Sequence, residues 1–424
     1  MLTSLVRNIK DYGEHLMAFR PNARLYLLYA IIAGIAIGIF RLLFNFYVLS
    51  LGFDEKLLGN LVTIGSMTAL IVALPMGYLA DFLGRKRSLL IAAIMISLSI
   101  AIMVVWPVSP VLYAMNVVSG AAQSLAGMTM SPFLMENSGE RERTYLFSFS
   151  MGIQMVSASV GNWIGGYLPT WVGGVRNVSA VSSQAYGGSI LIVAIALAIA
   201  IIPLVLIKMP RLDHAERTLF APFEYAAKNP KKLTKLILPM LITSIGAGLI
   251  MPFMNVFFRQ QYHQSDQVIG VLFAWGSLAM GLGLLIAPPL ADRLGKIQLV
   301  VITQGLSIPF LILLGFSPVF WASTAAYYIR VALMNMSSPV YETFVMERVE
   351  PSHRAMVASL ESMAWNFGWA LSPTVSGILQ VRYGFGPPFM GTIILYAISV
   401  FLYWFFWWRK STVVAPEAIE VATQ

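Results

Sequence analysis

Apolar residues occupy the chain in long continuous runs rather than in short alternations, and each run is bounded by Gly, Pro or charged residues. Runs long enough to cross a bilayer as helices, each needing ~20 residues, start near Leu25, Leu57, Leu89, Val111, Tyr145 and Gly188. A polar connector follows from Lys208 to Lys235, after which further runs start near Leu236, Val268, Gln298, Val319, Ala358 and Phe389. The pattern predicts an all-α integral membrane protein with twelve transmembrane helices, six before the connector and six after it. The expected boundaries are a cytoplasmic N-terminal segment 1–24, a bundle 25–207, a cytoplasmic connector 208–235, a second bundle 236–408 and a cytoplasmic tail 409–424.

Composition agrees with the pattern. Of the 424 residues 58% are hydrophobic and 11% charged, where a soluble domain carries about 25% charged residues. The net charge of +9 does not require an acidic or nucleic-acid partner, because the basic residues sort by topology. With the N-terminus inside, 22 of the 28 Lys and Arg fall on the cytoplasmic side and only Lys56, Arg176, Arg259 and Arg382 fall outside. The remaining two, Arg41 and Arg330, lie within spans. A polar start with Arg7, Lys10, Arg20 and Arg24 lacks the apolar core and small-residue cleavage site of a leader, so the first span is expected to remain as an anchor. The stretch 220–235 reads either as solvated linker or as a helix lying on the membrane surface, and the tail from Ser411 as disordered. With no Cys and four widely spaced His, neither a disulfide, a metal site nor a cofactor is expected. No nucleophile–base set or nucleotide loop is visible, and enzymatic activity is not expected.

The two halves share landmarks at a constant offset of 211 residues. Leu79-Ala80-Asp81 with Leu83-Gly84-Arg85 corresponds to Leu290-Ala291-Asp292 with Leu294-Gly295-Lys296. Glu136 and Arg143 correspond to Glu347 and Arg354, and Gly59 and Gly166 to Gly270 and Gly377. Charged and glycine landmarks agreeing in order and spacing imply a duplicated six-helix unit.

The segment Gly77-Tyr78-Leu79-Ala80-Asp81-Phe82-Leu83-Gly84-Arg85-Lys86-Arg87 resembles the loop signature of the major facilitator superfamily between spans two and three. A weaker copy runs from Asp292 to Lys296, with Pro288 where the first copy has Gly77. The resemblance implies two bundles around a cavity that opens alternately to each side of the membrane. It also implies a cytoplasmic latch from Gly77, Asp81, Gly84 and Arg85 towards the start of span eleven near Arg354, and from Asp292 towards Arg143. Read physically, Gly77 permits close helix approach and Asp81 accepts hydrogen bonds from Arg85 or a helix N-terminus.

Several spans carry polar stripes. Gly34, Gly38, Arg41 and Asn45 share one face of span one, and span seven repeats the stripe as Ser244, Gly248, Met251 and Asn255. Gln123 belongs to a similar stripe in span four, and Tyr327 and Arg330 to one in span ten. The resemblance implies that spans one, four, seven and ten line the cavity. By helical rise Arg41 and Arg330 lie about 15–16 Å into a ~30 Å core, where a charge needs a partner or water. No Asp or Glu occurs at that depth, so a bound anion or a brace against a neighbouring helix must satisfy them. The expected substrate contacts are therefore Arg41, Asn45, Gln123, Asn255, Tyr327, Arg330 and Trp365, with no catalytic residue and no metal ligand. Glu342 and Glu361 are the candidate proton carriers, or else partners in a salt-bridge lock. Trp365 and Trp369 follow Glu361 at four-residue steps and line either the cavity or the lipid.

Span five holds Gly161-Asn162-Trp163-Ile164-Gly165-Gly166, which resembles the signature of drug:proton antiporters except that Asn162 replaces its proline. Three functions follow from the sequence. The first is secondary transport of a small organic anion by alternating access. The alternatives are multidrug efflux by proton antiport and a non-transporting ligand sensor with the same fold. The expected setting is a functional monomer in a prokaryotic cytoplasmic membrane with both termini inside, its partners being substrate, a coupling proton and lipid but not nucleic acid.

Overall fold

The computed structural model describes residues 20–138, 140–208, 229–350 and 354–408. Those residues contain no strand. Every expected apolar run is helical and starts within six residues of the expected position. In the first half the helices are α1 (Pro21–Ser50), α2 (Glu55–Ile71), α3 (Ala73–Leu83), α4 (Arg85–Val105), α5 (Ser109–Glu136), α6 (Glu140–Arg176) and α7 (Ser183–Leu206). The second half contains α8 (Pro230–Ile250), α9 (Met254–Tyr262), α10 (Asp266–Leu294), α11 (Lys296–Phe316), α12 (Phe320–Glu347), α13 (Arg354–Tyr383) and α14 (Gly386–Tyr403).

Two of the expected spans are broken. α2 and α3 meet at Val72 with a bend of 58°. The 3-10 turn Met251–Phe253, containing Pro252, separates α8 from α9 because the proline removes a backbone donor. Among the described residues seven helices are long and apolar enough to cross a membrane, or eight if the bent pair is one span. The others, α5, α6, α12 and α13, have 28, 37, 28 and 30 residues and fall short in apolar character, not length. Two of the four polar stripes lie on them, those of Gln123 on α5 and of Tyr327 and Arg330 on α12.

The described chain forms two compact units. Unit 1 takes in residues up to Thr218 together with Pro252–Leu278, and unit 2 takes in Leu219–Met251 and the chain from Ala279. In unit 1, α1 packs along α6 and α7, and α4 along α5 and α7. In unit 2, α8 packs in the same way along α13 and α14, and α11 along α12 and α14. The pairings repeat helix for helix, as a duplicated unit requires. So do the corners. Gly84 and Gly295, 211 positions apart, turn α3 into α4 and α10 into α11 at φ values of 82° and 91°. That left-handed geometry is one a residue with a Cβ adopts only under strain.

Close helix contact supplies cohesion where lipid offers no hydrophobic drive. A Cβ at Gly38 of α1 would lie 2.9 Å from the Ala158 carbonyl oxygen of α6, so only glycine fits that crossing. The segment expected to form a surface helix falls mostly outside the described residues, and its end from Pro230 is the first turn of α8. The N-terminal segment 1–19, the connector 209–228, the tail 409–424 and the side chains of Arg143 and Arg354 also lie outside them.

Candidate functional site

Arg330 is the deepest charge of unit 2. It sits near the middle of α12 with 2% of its surface exposed, one turn beyond the buried Tyr327. Its Nη2 donates to the Tyr396 hydroxyl of α14 at 3.2 Å, its Nη1 lies 3.8 Å from the Met251 sulfur, and the guanidinium stands 5.5 Å from the Tyr396 ring centre. Its Nε is buried without a hydrogen-bond partner. No described carboxylate pairs with it. A buried cation whose described hydrogen-bond acceptors are a phenol and a sulfur, with no described carboxylate paired to it, is incompletely neutralised and suited to an anion.

Arg41 differs. It is the one exposed position between Ile39 and Val48 of α1, and it makes no hydrogen bond or ion pair with a described residue. The glycine half of its stripe does not line a cavity: Gly34 and Gly38 are seated against Ser157 and Ala158 of α6.

The two asparagines of the repeated stripe meet each other. Asn45 donates to the Asn255 side-chain oxygen at 2.9 Å and to the Pro252 carbonyl at 2.6 Å, while Asn255 donates to the Leu42 carbonyl at 2.8 Å. Both are buried inside unit 1. This departs from the expectation that they offer directional contacts to substrate, because their amides are already used in joining α1 to the start of α9. Gln123 is exposed on α5 and donates to Ser119 at 3.2 Å. Trp365 is 40% exposed, and its carbonyl accepts from Ser244 at 2.5 Å. Glu361 of α13 is 8% exposed and has no cationic partner among the described residues, whereas Glu342 on α12 is exposed. Neither forms an ion pair with a described residue, and the Arg354 side chain, a candidate partner in the salt-bridge lock, lies outside the described set.

At the α3–α4 corner of unit 1, Arg85 reaches Asp81 at 2.5 Å and Glu136 at 3.0 Å. Gly84 provides the turn that makes this possible. Unit 2 repeats the second contact as Lys296 with Glu347, the same 51 residues apart. Gly77 does not serve close approach: a Cβ there would meet nothing within 4 Å. Asp292 is exposed and without an ion pair to any described residue. The expected partners Arg143 and Arg354 have side chains outside the described set, so the latch seen is a helix-to-helix contact inside each unit.

One polar network escaped the sequence reading. Asp266, 7% exposed at the start of α10, lies 3.2 Å from Arg259 of α9 and accepts from the Tyr186 hydroxyl of α7 at 2.6 Å. Arg259 also donates to that hydroxyl at 2.7 Å and lies 4.3 Å over the Phe46 ring of α1. Arg259 had counted only as an outer-loop charge, and the signal overlooked was an acid seven residues beyond it across a short turn. The glycines of the span-five motif serve packing. Gly161 and Gly165 abut α1, and Gly166 abuts Asp266 and Gly270 of α10.

The sequence model of the Major Facilitator Superfamily matches residues 26–240 and again 236–420. Among curated proteins, the Multidrug resistance protein MdtG of Proteus mirabilis (strain HI4320) is 22% identical over 183 residues, 42% of this chain and 45% of its own length. Its counterpart from Dickeya zeae (strain Ech586) is 22% identical over 187 residues, 43% of this chain and 46% of its own. The chain thus spans just under half the length of the curated relatives it matches. Among solved structures, the nucleoside transporter NupG superposes with a TM-score of 0.73 at 16% identity, covering 91% of this chain and 98% of that one. A bacterial homolog of the human lysosomal transporter Spinster gives 0.70 at 13%, covering 96% and 99%, and a D-xylose-proton symporter gives 0.70 at 16%, covering 90% and 97%. At these identities the likeness is one of fold.

Proposed function

The chain belongs to the Major Facilitator Superfamily, and on that premise we propose that it is a secondary active transporter moving a small organic anion by alternating access. The observation that carries the reading is Arg330, a fully buried guanidinium with an idle Nε and no carboxylate beside it. Two oxygens of a carboxylate or phosphate accept parallel N–H bonds from such a fork, and the anion neutralises it in the same step. Arg41 is the corresponding cation of unit 1, exposed and unpaired at mid-helix. Gln123, Tyr327 and Trp365 shape selectivity around these charges, while Asn45 and Asn255 hold the helices that present them. Glu361, buried without a cation, and the exposed Glu342 carry the coupling proton. Gly77, Asp81, Gly84 and Arg85 with Asp292, Arg143 and Arg354 govern the cytoplasmic side. The chain works as a monomer with bundles 25–207 and 236–408 and both termini in the cytoplasm.

Multidrug efflux by proton antiport is the second reading. It is favoured by the relatives named for multidrug resistance and by Glu361, which offers an unpaired carboxylate to an organic cation. Uptake and counterflow in proteoliposomes under imposed pH gradients separate the readings. Saturable anion movement lost in Arg41→Gln or Arg330→Gln, with folding matched, supports the first. Movement of lipophilic cations that survives both substitutions and fails in Glu361→Gln replaces it with the second. Ligand binding without counterflow identifies a sensor.

A further inference from the structure

A cavity of about 230 Å³ opens in unit 1, away from Arg41 and Arg85. Its walls come from Tyr47 and Leu51 of α1, Val104 and Pro107 around the end of α4, Arg176 at the end of α6, and the first turns of α7 with Ser183, Gln184 and Leu191. The polar groups gather at the ends of the helices, and Leu51, Val104, Pro107 and Leu191 form an apolar wall.

Arg176 is the cation of this cavity. It makes no ion pair or hydrogen bond with a described residue. Its guanidinium carbon lies 3.3 Å from where a Cβ of Gly188 would stand, and Gly187 likewise clears the Tyr47 ring by 3.3 Å. The missing side chain of Gly188 therefore leaves room for the Arg176 guanidinium against α7. Trp106 and Trp171, 61% and 60% exposed, stand one residue before Pro107 and five before Arg176. Exposed tryptophans of this kind collect at the depth of lipid headgroups. An unpaired guanidinium near two exposed tryptophans, in a cavity that also has apolar lining, matches an amphiphile with an anionic head.

We propose that this cavity binds an anionic phospholipid, with Arg176 holding the headgroup phosphate and an acyl chain lying along Leu51, Val104, Pro107 and Leu191. The site is independent of the transported substrate.

The test is native mass spectrometry of the full chain released from micelles containing equal amounts of phosphatidylglycerol and phosphatidylcholine. The wild type is expected to retain phosphatidylglycerol preferentially, and Arg176→Gln to lose that preference by tenfold or more, with Arg176→Lys between them. A single basic residue near an anionic surface contributes only about fivefold by general attraction, from ~1 kcal/mol. A loss of fivefold or less, fully restored by Arg176→Lys, would overturn the site. Millimolar inorganic phosphate that displaces the lipid completely would overturn it too, marking a small-anion site. Leu191→Trp, which narrows the apolar wall and leaves the charge, is expected to weaken retention; unchanged retention would remove the acyl-chain half of the proposal.

Discussion

Arg259 lies 3.2 Å from Asp266, and the Tyr186 hydroxyl bridges the pair by donating to the acid and accepting from the arginine. The three come from α7, α9 and α10, so a network of side chains rather than backbone joins these helices at one end of unit 1. Breaking a fully buried pair by removing one partner costs roughly 3–5 kcal/mol. Because Arg259 retains 25% side-chain exposure, we expect about 2 kcal/mol for Asp266→Asn. Thermal unfolding followed by tryptophan fluorescence should show Asp266→Asn and Arg259→Gln each lowering the midpoint, and the double variant losing much less than the sum. Additive losses would mean that the pair is not coupled.

The asparagine pair yields a second expectation. Asn45→Leu leaves the Pro252 carbonyl without its side-chain donor and the Asn255 oxygen with the Val256 N–H alone, a loss of about 1–3 kcal/mol. Asn255→Leu strips the Leu42 carbonyl in the same way. Substituting both together should cost less than the sum of the single losses, because the Asn45–Asn255 bond is lost in either one. A transport assay is the complementary reading: residues that hold helices rather than substrate should change maximal rate with little change in apparent affinity.

Repetition of the corner ion pair predicts unequal consequences in the two units. Arg85 and Glu136 are 14% and 25% exposed, Lys296 and Glu347 are 33% and 53%. Glu347→Gln should alter stability by no more than about 0.5 kcal/mol, since water screens an exposed pair. Glu136→Gln should cost about 1–2 kcal/mol because Arg85 loses a charge-assisted bond in a drier setting. Melting at low and high salt should move the Lys296 pair and leave the Arg85 pair nearly unchanged.

Glycines sort by what their missing side chain would touch. Gly38→Val drives methyl groups into the α6 backbone and is expected to prevent folding, measured as loss of the monodisperse peak in size-exclusion chromatography. Gly77→Ala meets open space in a helix and should raise stability by up to about 1 kcal/mol. If Gly77 acts in the cytoplasmic latch, the same substitution lowers transport while stability rises; equal transport would remove it from the latch.

Much of this was legible before any coordinate. The twelve apolar runs, the duplication and the corner glycines are patterns of one residue against its near neighbours, or of one repeat against the other, which a sequence displays directly. Arg330 was legible as well, since depth follows from helical rise. What stayed hidden depends on the rotation of each helix about its own axis. Asn45 and Arg41 sit four positions apart on one expected face, yet one is buried against Asn255 and the other is exposed. Asp266 is ordinary as a residue at a helix start; its meaning comes from Tyr186, 80 residues earlier.

Unit 1 is not continuous in sequence: residues 252–278 complete it only after 219–251, which belong to the other unit, have been made. On the ribosome, therefore, six helices can enter the bilayer while Asn45 and Tyr186 still await partners that do not yet exist. Their polar groups must be sheltered until Asn255, Arg259 and Asp266 emerge, an interval of roughly several seconds at ordinary elongation rates. The order of synthesis thus leaves unit 1 incomplete until part of the second repeat has been made, and a gene cut between the repeats would yield a first half in which Asn45 and Tyr186 lack these partners.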